Sequence, residues 1–359
     1  MIVNLIYLTN LNYRKSLFEE ISKHCEFNLI AGNKSPYSNI VVDESETKYN
    51  FYTIRNFFFL NGHHRLTFQM LSRKVLKLIR KPKESEFVFL GIDVHIFSSL
   101  LYALILIFLG YKVSWWGHGT LGKGLTKKIR VFIYKKSYRI IVYGNNSEVS
   151  RLISLKGKVR VIGNTMNWSD YSDNLLKKEK LICYKTNTEL RMLFSGRIIK
   201  SKKLEILLNA CKILNINYHL KIIGDGDEVS LYKKYCLENS LNVTFLGAIY
   251  GEGVKNYMNW SDIMVIPGKV GLSLVHAYSN RLPVIIHDTF EEHSPEFEIH
   301  TMNKEFLFKK DSINDLSNKL EIIHTKKLLP KETAHSSDML YKYGYFPDIV
   351  ASKFIESFN

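Results

Sequence analysis

The sequence predicts an α/β protein built on parallel sheets, and three observations carry that prediction. Apolar runs of strand length alternate with amphipathic helical stretches along almost the whole chain. The alternation breaks once, over the polar, irregular stretch from about Asn164 to Glu189, and then restarts. Several strands end in glycine turns, and open parallel sheets hold their ligands beyond those strand ends. Strands separated by helices need crossover connections, so they lie parallel with helices on both faces.

In order, "IVNLIYL" reads as a buried strand, "RKSLFEEISKH" as an amphipathic helix and "FNLIAG" as the next strand. "FVFLGI" precedes the apolar run "IFSSLLYALILIFLG" (96–110). That run falls short of the roughly 20 residues that span a bilayer, so a buried helix is expected. "YKVSWWGHG" is a strand with buried aromatics ending in a glycine-flanked histidine, and "YRIIVYG" is another strand. "SEVSRLISLKG" reads as a helix stopped by Gly157, and "KVRVIGN" as a strand. After the break come "LRMLFSG", "YHLKIIGDG", "NVTFLG" and "DIMVIPG", each followed by a helical stretch. The last of these feeds the turn "PGKVG", a helix over Leu272–Ser279 and a strand opened by Pro283. "YFPDIVASKFIESF" closes the chain as one more amphipathic helix.

A chain of 359 residues suits two domains, and 46% hydrophobic with 23% charged residues suits a globular protein rather than a disordered one. Fifty Lys+Arg against 34 Asp+Glu leave a net charge of +16, which favours an anionic partner: phosphorylated ligand, nucleic acid or acidic membrane surface. An AT-rich coding sequence explains such a composition equally well. Four scattered cysteines and no zinc spacing argue against a disulfide framework or a structural metal. The amino-terminal stretch lacks the features of a signal peptide.

Candidate chemistry gathers at the strand ends. The turn with Gly268 and Gly271 presents the amides of Leu272 and Ser273 at a helix start, where backbone N–H groups and the helix dipole favour an anion. A glycine turn before a helix is equally an ordinary αβ connection. "SGRIIKSKK" adds Arg197, a planar fork for phosphate oxygens, and Lys202, a mobile point charge; both also read as exposed loop cations. "IIGDG" is explained as well by turn geometry as by a ligand. His118, between two glycines, suits hydrogen bonding or proton transfer, or is an ordinary loop histidine. His276, one turn into its helix, reads either as a ligand contact or as an interior histidine bonded to backbone.

Taken together and in this order, these segments resemble the donor-binding domain of retaining family 4 glycosyltransferases with the GT-B fold. The resemblance runs from "LFSGRIIKSKKLEILLNA" through "HLKIIGDGDEVSLYKKY" and "GLSLVHAYSNRLPVI" to "FLFKKDSINDLSNKLEII", about half the chain. "LNYRKSLFEEIS" and "WWGHGT" are similar, more loosely, to acceptor-domain segments of bacterial surface-polysaccharide members.

The resemblance implies two Rossmann-like domains facing a central cleft. Residues 1–165 would bind the acceptor, with the carboxyl-terminal helix 346–359 packing back onto them, and residues 166–345 would bind the donor. It implies that Arg197 and Lys202 hold the donor diphosphate, that Gly271, Leu272 and Ser273 face phosphate, that Gly247 and Ile249 line the base, and that His118 lies beside the transferred sugar. Two glutamates common in the family are Gly268 and His276 here, so His276 takes the ribose-binding place and Gly268 offers no side chain. The usual helix-ending glycine is Arg281, so Asn280 is expected to take the left-handed conformation.

The implied activity moves a sugar from a nucleoside-diphosphate sugar to a hydroxyl of a glycan or polyprenyl-diphosphate-linked acceptor in surface-polysaccharide (O-antigen or capsule) synthesis. It would need no metal or other cofactor, and would run in the cytoplasm or peripherally on the inner face of an anionic membrane. Rival readings are a GT-B-fold sugar-nucleotide epimerase or hydrolase, an inactive binding relative, and a nucleic-acid-binding protein. Against the last, the basic residues are dispersed, and no RNP-like motif, basic helix or zinc finger stands out, so no nucleic-acid partner is expected.

Overall fold

A computed structural model of the chain describes residues 1–9, 12–34, 46–59, 66–78, 84–91, 96–145, 147–171, 189–300 and 304–358. Most of the irregular stretch between Asn164 and Glu189 therefore lies outside the described residues. The chain separates into two compact units, Met1–Asn167 with Phe346–Asn359, and Trp168–Tyr345.

The first unit is built on an eight-stranded sheet. Its strands are β1 (Ile2–Thr9), β2 (Glu26–Gly32), β3 (Asn50–Phe59), β4 (Leu66–Met70), β5 (Ser85–Leu90), β6 (Lys112–Gly117), β7 (Arg139–Val142) and β8 (Val159–Val161). They lie in the order β4-β3-β2-β1-β5-β6-β7-β8, and every pair is parallel except the β3–β4 edge. Neighbouring residues of a strand point to opposite faces, and both faces here are covered. Trp115 packs in a cluster with Ile6, Phe89, Ala103 and Ile133, while Trp116 packs with Val3, Leu5, Phe18 and Phe354. Each indole is 1% exposed, as the apolar reading of that strand predicts. The second cluster joins helix Lys15–Ser22 to the carboxyl-terminal helix Pro347–Glu356, with Phe354 and Trp116 ring centroids 5.0 Å apart.

Three local expectations for this unit are corrected. Residues 147–157 form two 3-10 turns, Val149–Arg151 and Ile153–Lys158, rather than one helix. Leu152 between them is extended (φ −86°, ψ 109°), which interrupts the helical hydrogen-bond ladder. The apolar helix Phe97–Phe108 is not buried all round: it buries Ser98, Ser99, Ala103 and Leu106, and exposes Phe97, Leu101, Leu104, Ile105 and Phe108. The small face is the packed one because β4 lies against it, with the Ser98 hydroxyl accepting from the Gln69 N–H at 2.9 Å. A basic helix is also present: Gly124–Lys136 exposes Lys127, Lys128, Lys135 and Lys136 beside Leu125 and Phe132. Its apolar residues, interleaved with lysines, hide that character in the sequence.

The second unit holds six parallel strands: β9 (Leu190–Ser195), β10 (Tyr218–Ile223), β11 (Val243–Gly247), β12 (Ile263–Ile266), β13 (Val284–His287) and β14 (Leu307–Phe308). Their order is β11-β10-β9-β12-β13-β14. Helices including Leu204–Ile213, Leu272–Ser279 and Ile313–Thr325 pack against the sheet, and the last is capped by the Ser312 side chain accepting from the Asp315 N–H. Helix Leu272–Ser279 ends on Arg281, φ +54°, and not on Asn280, φ −104°. The Leu282 N–H bonds to the Ala277 carbonyl and the Arg281 N–H to the Tyr278 carbonyl, so the left-handed residue must be 281 in this helix-ending motif.

Candidate functional site

In each sheet the earliest strand of the unit has later strands on both sides, β1 between β2 and β5, and β9 between β10 and β12. The chain leaves such a strand in opposite directions, and ligands bind at the carboxyl ends beside that reversal.

In the second unit the turns at these ends are laced together through backbone. The Gly196 N–H donates to the Ile223 carbonyl at 3.0 Å, Ile198 N–H to Asp225 at 2.8 Å, and Gly224 N–H to Gly247 at 2.8 Å. Glycine is obligatory at 224 and 226, because a Cβ there would lie 1.9 Å from the Gly196 carbonyl oxygen and 2.1 Å from that of Ile198. "IIGDG" thus owes its glycines to turn packing. Gly247, exposed at φ +75°, belongs to the same set of strand ends, and Ile249 follows it, half-buried against Gly253.

The turn after β9 meets the turn after β12. The Lys269 N–H donates to the Ser201 carbonyl at 3.3 Å, and the Lys202 ammonium returns a bond to the Lys269 carbonyl at 2.7 Å. A Cβ on Gly268 would sit 2.4 Å from the Ser201 carbonyl oxygen and 2.6 Å from the Lys202 carbonyl carbon. No side chain fits there without moving backbone, which gives a physical reason for glycine at a position where the family resemblance leads one to expect glutamate. Arg197 is exposed on the same turn, and Lys202 is half-buried. Burial, then the charges of Arg197 and Lys269, lower the Lys202 pKa to about 8. Three cations thus gather where no carboxylate answers Lys202 among the described residues.

Gly271, extended at φ −156°, starts helix Leu272–Ser279, whose first-turn amides at Leu272 and Ser273 face away from the helix ladder. A residue that sequence reasoning passed over holds this start in place. His293 accepts the Val270 N–H on Nδ1 at 3.1 Å and bonds through Nε2 to the His287 carbonyl at 2.9 Å. With Nδ1 accepting, the proton is on Nε2, and burial lowers the pKa to about 3, so the ring is a neutral brace. Only its position in the fold, on the loop after β13, marks it.

His276 lies one turn into the helix. Burial, then the Lys255 charge, lowers its pKa to about 4, and its Nε2 is shielded from water with no hydrogen-bond partner. Its carbonyl accepts from Ser279 Oγ at 2.8 Å and Asn280 Nδ2 at 2.9 Å.

His118 belongs to the first unit. It is exposed, edge-on to Tyr143 with ring centroids 4.9 Å apart, on the wall of a cavity of about 370 Å³ beyond the carboxyl ends of β1, β5, β6 and β7. Gly119 is required there: at φ +63° a Cβ would meet Val149 at 2.6 Å. The structure therefore gathers Arg197, Lys202, Gly247, Ile249, Gly268, Gly271, Leu272, Ser273 and His276 in the second unit, and places His118 in the first.

Comparison with known proteins bears on this arrangement. Residues 177–338, most of the second unit, match the family described as Glycosyl transferases group 1. An uncharacterized glycosyltransferase of Methanocaldococcus jannaschii is 31% identical over 140 residues, 36% of this chain and 36% of that protein. A second one from the same organism is 31% identical over 144 residues, 38% and 39% of the two chains. The aligned region is thus little more than a third of those relatives' length. Over the whole chain, similar solved structures are Anabaena HepE in complex with UDP (TM-score 0.69, 12% identity, covering 100% and 99% of the chains) and a TarM mutant of S. aureus crystallised with UDP (0.68, 12%, 100% and 100%). The lipopolysaccharide outer core galactosyltransferase WaaB is also similar (0.65, 14%, 100% and 99%). At these identities the likeness shows the fold: two α/β domains with parallel sheets, as in GT-B glycosyltransferases.

Proposed function

We propose that this chain is a retaining glycosyltransferase of family 4 type that moves a sugar from a nucleoside-diphosphate sugar to a hydroxyl of a glycan or lipid-linked acceptor. The observation that carries the reading is the meeting of Arg197, Lys202 and Lys269 at the start of helix Leu272–Ser279. Breaking a glycosidic bond to a nucleoside diphosphate builds negative charge on the leaving group. Donors fixed in advance toward that charge are usually the largest catalytic contribution. Lys202 is held by the Lys269 carbonyl, and the two turns cannot separate without losing the Lys269–Ser201 bond. Diphosphate bound there supplies the counter-charge that offsets both the burial and the repulsion depressing the Lys202 pKa. Arg197, Lys202 and the amides of Leu272 and Ser273 supply this charge from the protein itself, which supports a reaction that needs no metal.

In this reading Gly247 and Ile249 lie beside the base, and His276 takes the ribose-binding place, where an imidazole offers one donor or acceptor. Gly268 leaves the donor sugar to other groups. The group 1 domain, the fold shared with HepE and the UDP in that complex support a nucleotide-sugar donor. The test is thermal denaturation with UDP-, GDP-, dTDP- and CMP-sugars at millimolar concentration. One donor class is expected to raise the melting temperature by several degrees, and no rise with any of them would sink the reading.

The same reading places the enzyme on the cytoplasmic face of a membrane in bacterial surface-polysaccharide synthesis. Among the described residues no helix is long and apolar enough to cross a bilayer. Two first-unit helices suit its surface instead. Phe97–Phe108 turns its large apolar side chains outward, and Gly124–Lys136 interleaves exposed Leu125 and Phe132 with lysines. Vesicle flotation should show binding to anionic lipid that weakens with salt, and absence of binding at both low and high salt removes the membrane claim.

A further inference from the structure

Arg14 lines the first-unit cavity, 4% exposed, on the 3-10 turn Asn12–Arg14 that follows β1. It therefore stands at the reversal of strand order, the place in this sheet that matches the cation-rich turns of the other. Its Nη2 donates to the Tyr143 hydroxyl at 2.6 Å and its Nε to the Tyr13 hydroxyl at 3.1 Å. The rings of Tyr13, Trp116 and Tyr143 lie 5.0, 5.3 and 5.3 Å from the guanidinium carbon. The Nη1 is buried and makes no hydrogen bond among the described residues. No Asp or Glu is among the described residues that line the cavity.

A guanidinium stays charged at every pH a protein survives, so burial cannot be relieved by losing a proton. Tyrosine hydroxyls and ring faces offset part of the cost, but they are neutral; burial holds the Tyr7 hydroxyl beside them well above its ordinary range. A buried charge left without a counter-charge costs several kcal/mol in general. Among the described residues Arg14 is such a charge, with an unused donor at a cavity large enough for a sugar or phosphate group.

We infer that this cavity binds an anionic group of the acceptor, phosphate or carboxylate, with Arg14 as its counter-charge. The assignment to the acceptor rests on the proposed function, in which the first unit is the acceptor side. Anion binding itself does not depend on it.

The test titrates the full-length protein with inorganic phosphate, pyrophosphate and glucuronate, with glucose as the uncharged control, reading tryptophan fluorescence and melting temperature. Trp115 and Trp116 line the cavity and report it. Lys202→Ala serves as background, so that the second unit does not hold the probe. Saturation by a phosphate probe indicates a phosphate-bearing acceptor, and saturation by glucuronate an acidic sugar. Saturation by none, or equal response to glucose, overturns the inference. Arg14→Met should lose roughly ten- to a hundredfold in anion affinity, and Arg14→Lys should recover part of it. Without ligand Arg14→Met should melt no lower than the parent, whereas a purely structural arginine would give a destabilised variant and no anion effect in the parent. Nucleotide-sugar binding, read in the Lys202-intact protein, should be unchanged by Arg14→Met. Its loss would move the site to the donor and overturn the acceptor assignment. Failure of the parent to bind any nucleotide sugar would sink the proposed function while leaving the anion titration to stand or fall alone.

Discussion

Among the described residues, each unit of this protein pairs an arginine with a carboxylate at one place and leaves a cation at its strand-order reversal without one at another. In the first, Arg139 is buried against Glu86, with Nη1–Oε2 at 3.3 Å, and its Nη2 donates to the Phe358 carbonyl at 2.6 Å. Arg14, equally buried, has only tyrosines and an indole among the described residues. In the second, Arg191 grips Asp262 with Nε and Nη2, 3.2 and 2.7 Å from its two oxygens, at the amino ends of β9 and β12. Lys202, at the carboxyl ends of the same strands, meets a carbonyl and two other cations. The answered charges tie elements together, while the unanswered ones stand at the two strand-order reversals. A charge already paired inside the protein has little left to offer a ligand, whereas an unpaired one gains by binding an anion.

The largest effect expected from this contrast is on stability. Arg139→Met leaves Glu86 buried with only Lys112, 3.5 Å away, and should cost about 3 kcal/mol by chemical denaturation. Burial already raises the Glu86 pKa in spite of Arg139 and Lys112, and losing Arg139 raises it further. The variant's deficit should therefore be full above that raised pKa and shrink as pH falls through it. A deficit that does not vary with pH would show that Arg139 acts through packing alone. Of similar size, but on activity, Lys202→Ala should lower turnover by about 10²-fold and weaken free nucleoside diphosphate, with stability unchanged or slightly higher. Unchanged nucleotide affinity would mean the diphosphate lies elsewhere.

The smallest effect is a pH dependence. Lys202 has a folded pKa of about 8, below its unfolded value, so the cost of its buried charge is present below pH 8 and is relieved as pH rises past it. A bound diphosphate needs the charged form. Affinity should therefore fall about tenfold from pH 7 to pH 9, with proton uptake on binding, and Lys202→Ala should abolish that dependence. A flat profile in the parent would remove Lys202 from the diphosphate contact.

Much of the fold was legible in the chain. Strand runs such as "LRMLFSG" and "YHLKIIGDG" became β9 and β10, and the helix expected over Leu272–Ser279 has those bounds. The errors have physical causes. Residues 147–157 have helical spacing but an extended Leu152 in the middle. Phe97–Phe108 looks buried because of its leucines, yet the strand beside it packs on its serines and alanine. The antiparallel β3–β4 pair was passed over although Asn61-Gly62, between the two strands in the sequence, is itself a hairpin-turn signal. Of the candidate site, the strand-end turns and their basic residues could be read. The steric bar at Gly268, the brace from His293 and the whole of the Arg14 corner could not.

By itself the sequence determined the α/β class, the order of most strands and helices, and which turns of the second unit would stand at strand ends. Those follow from side-chain periodicity and turn chemistry, which act over a few neighbouring residues. Tertiary structure alone decided which charges are answered. Arg139 and Glu86 lie 53 positions apart, Lys202 and Lys269 are 67 apart, and Arg14 and Tyr143 are 129 apart. Electrostatic pairing depends on distance in space, and only the folded sheet sets that distance.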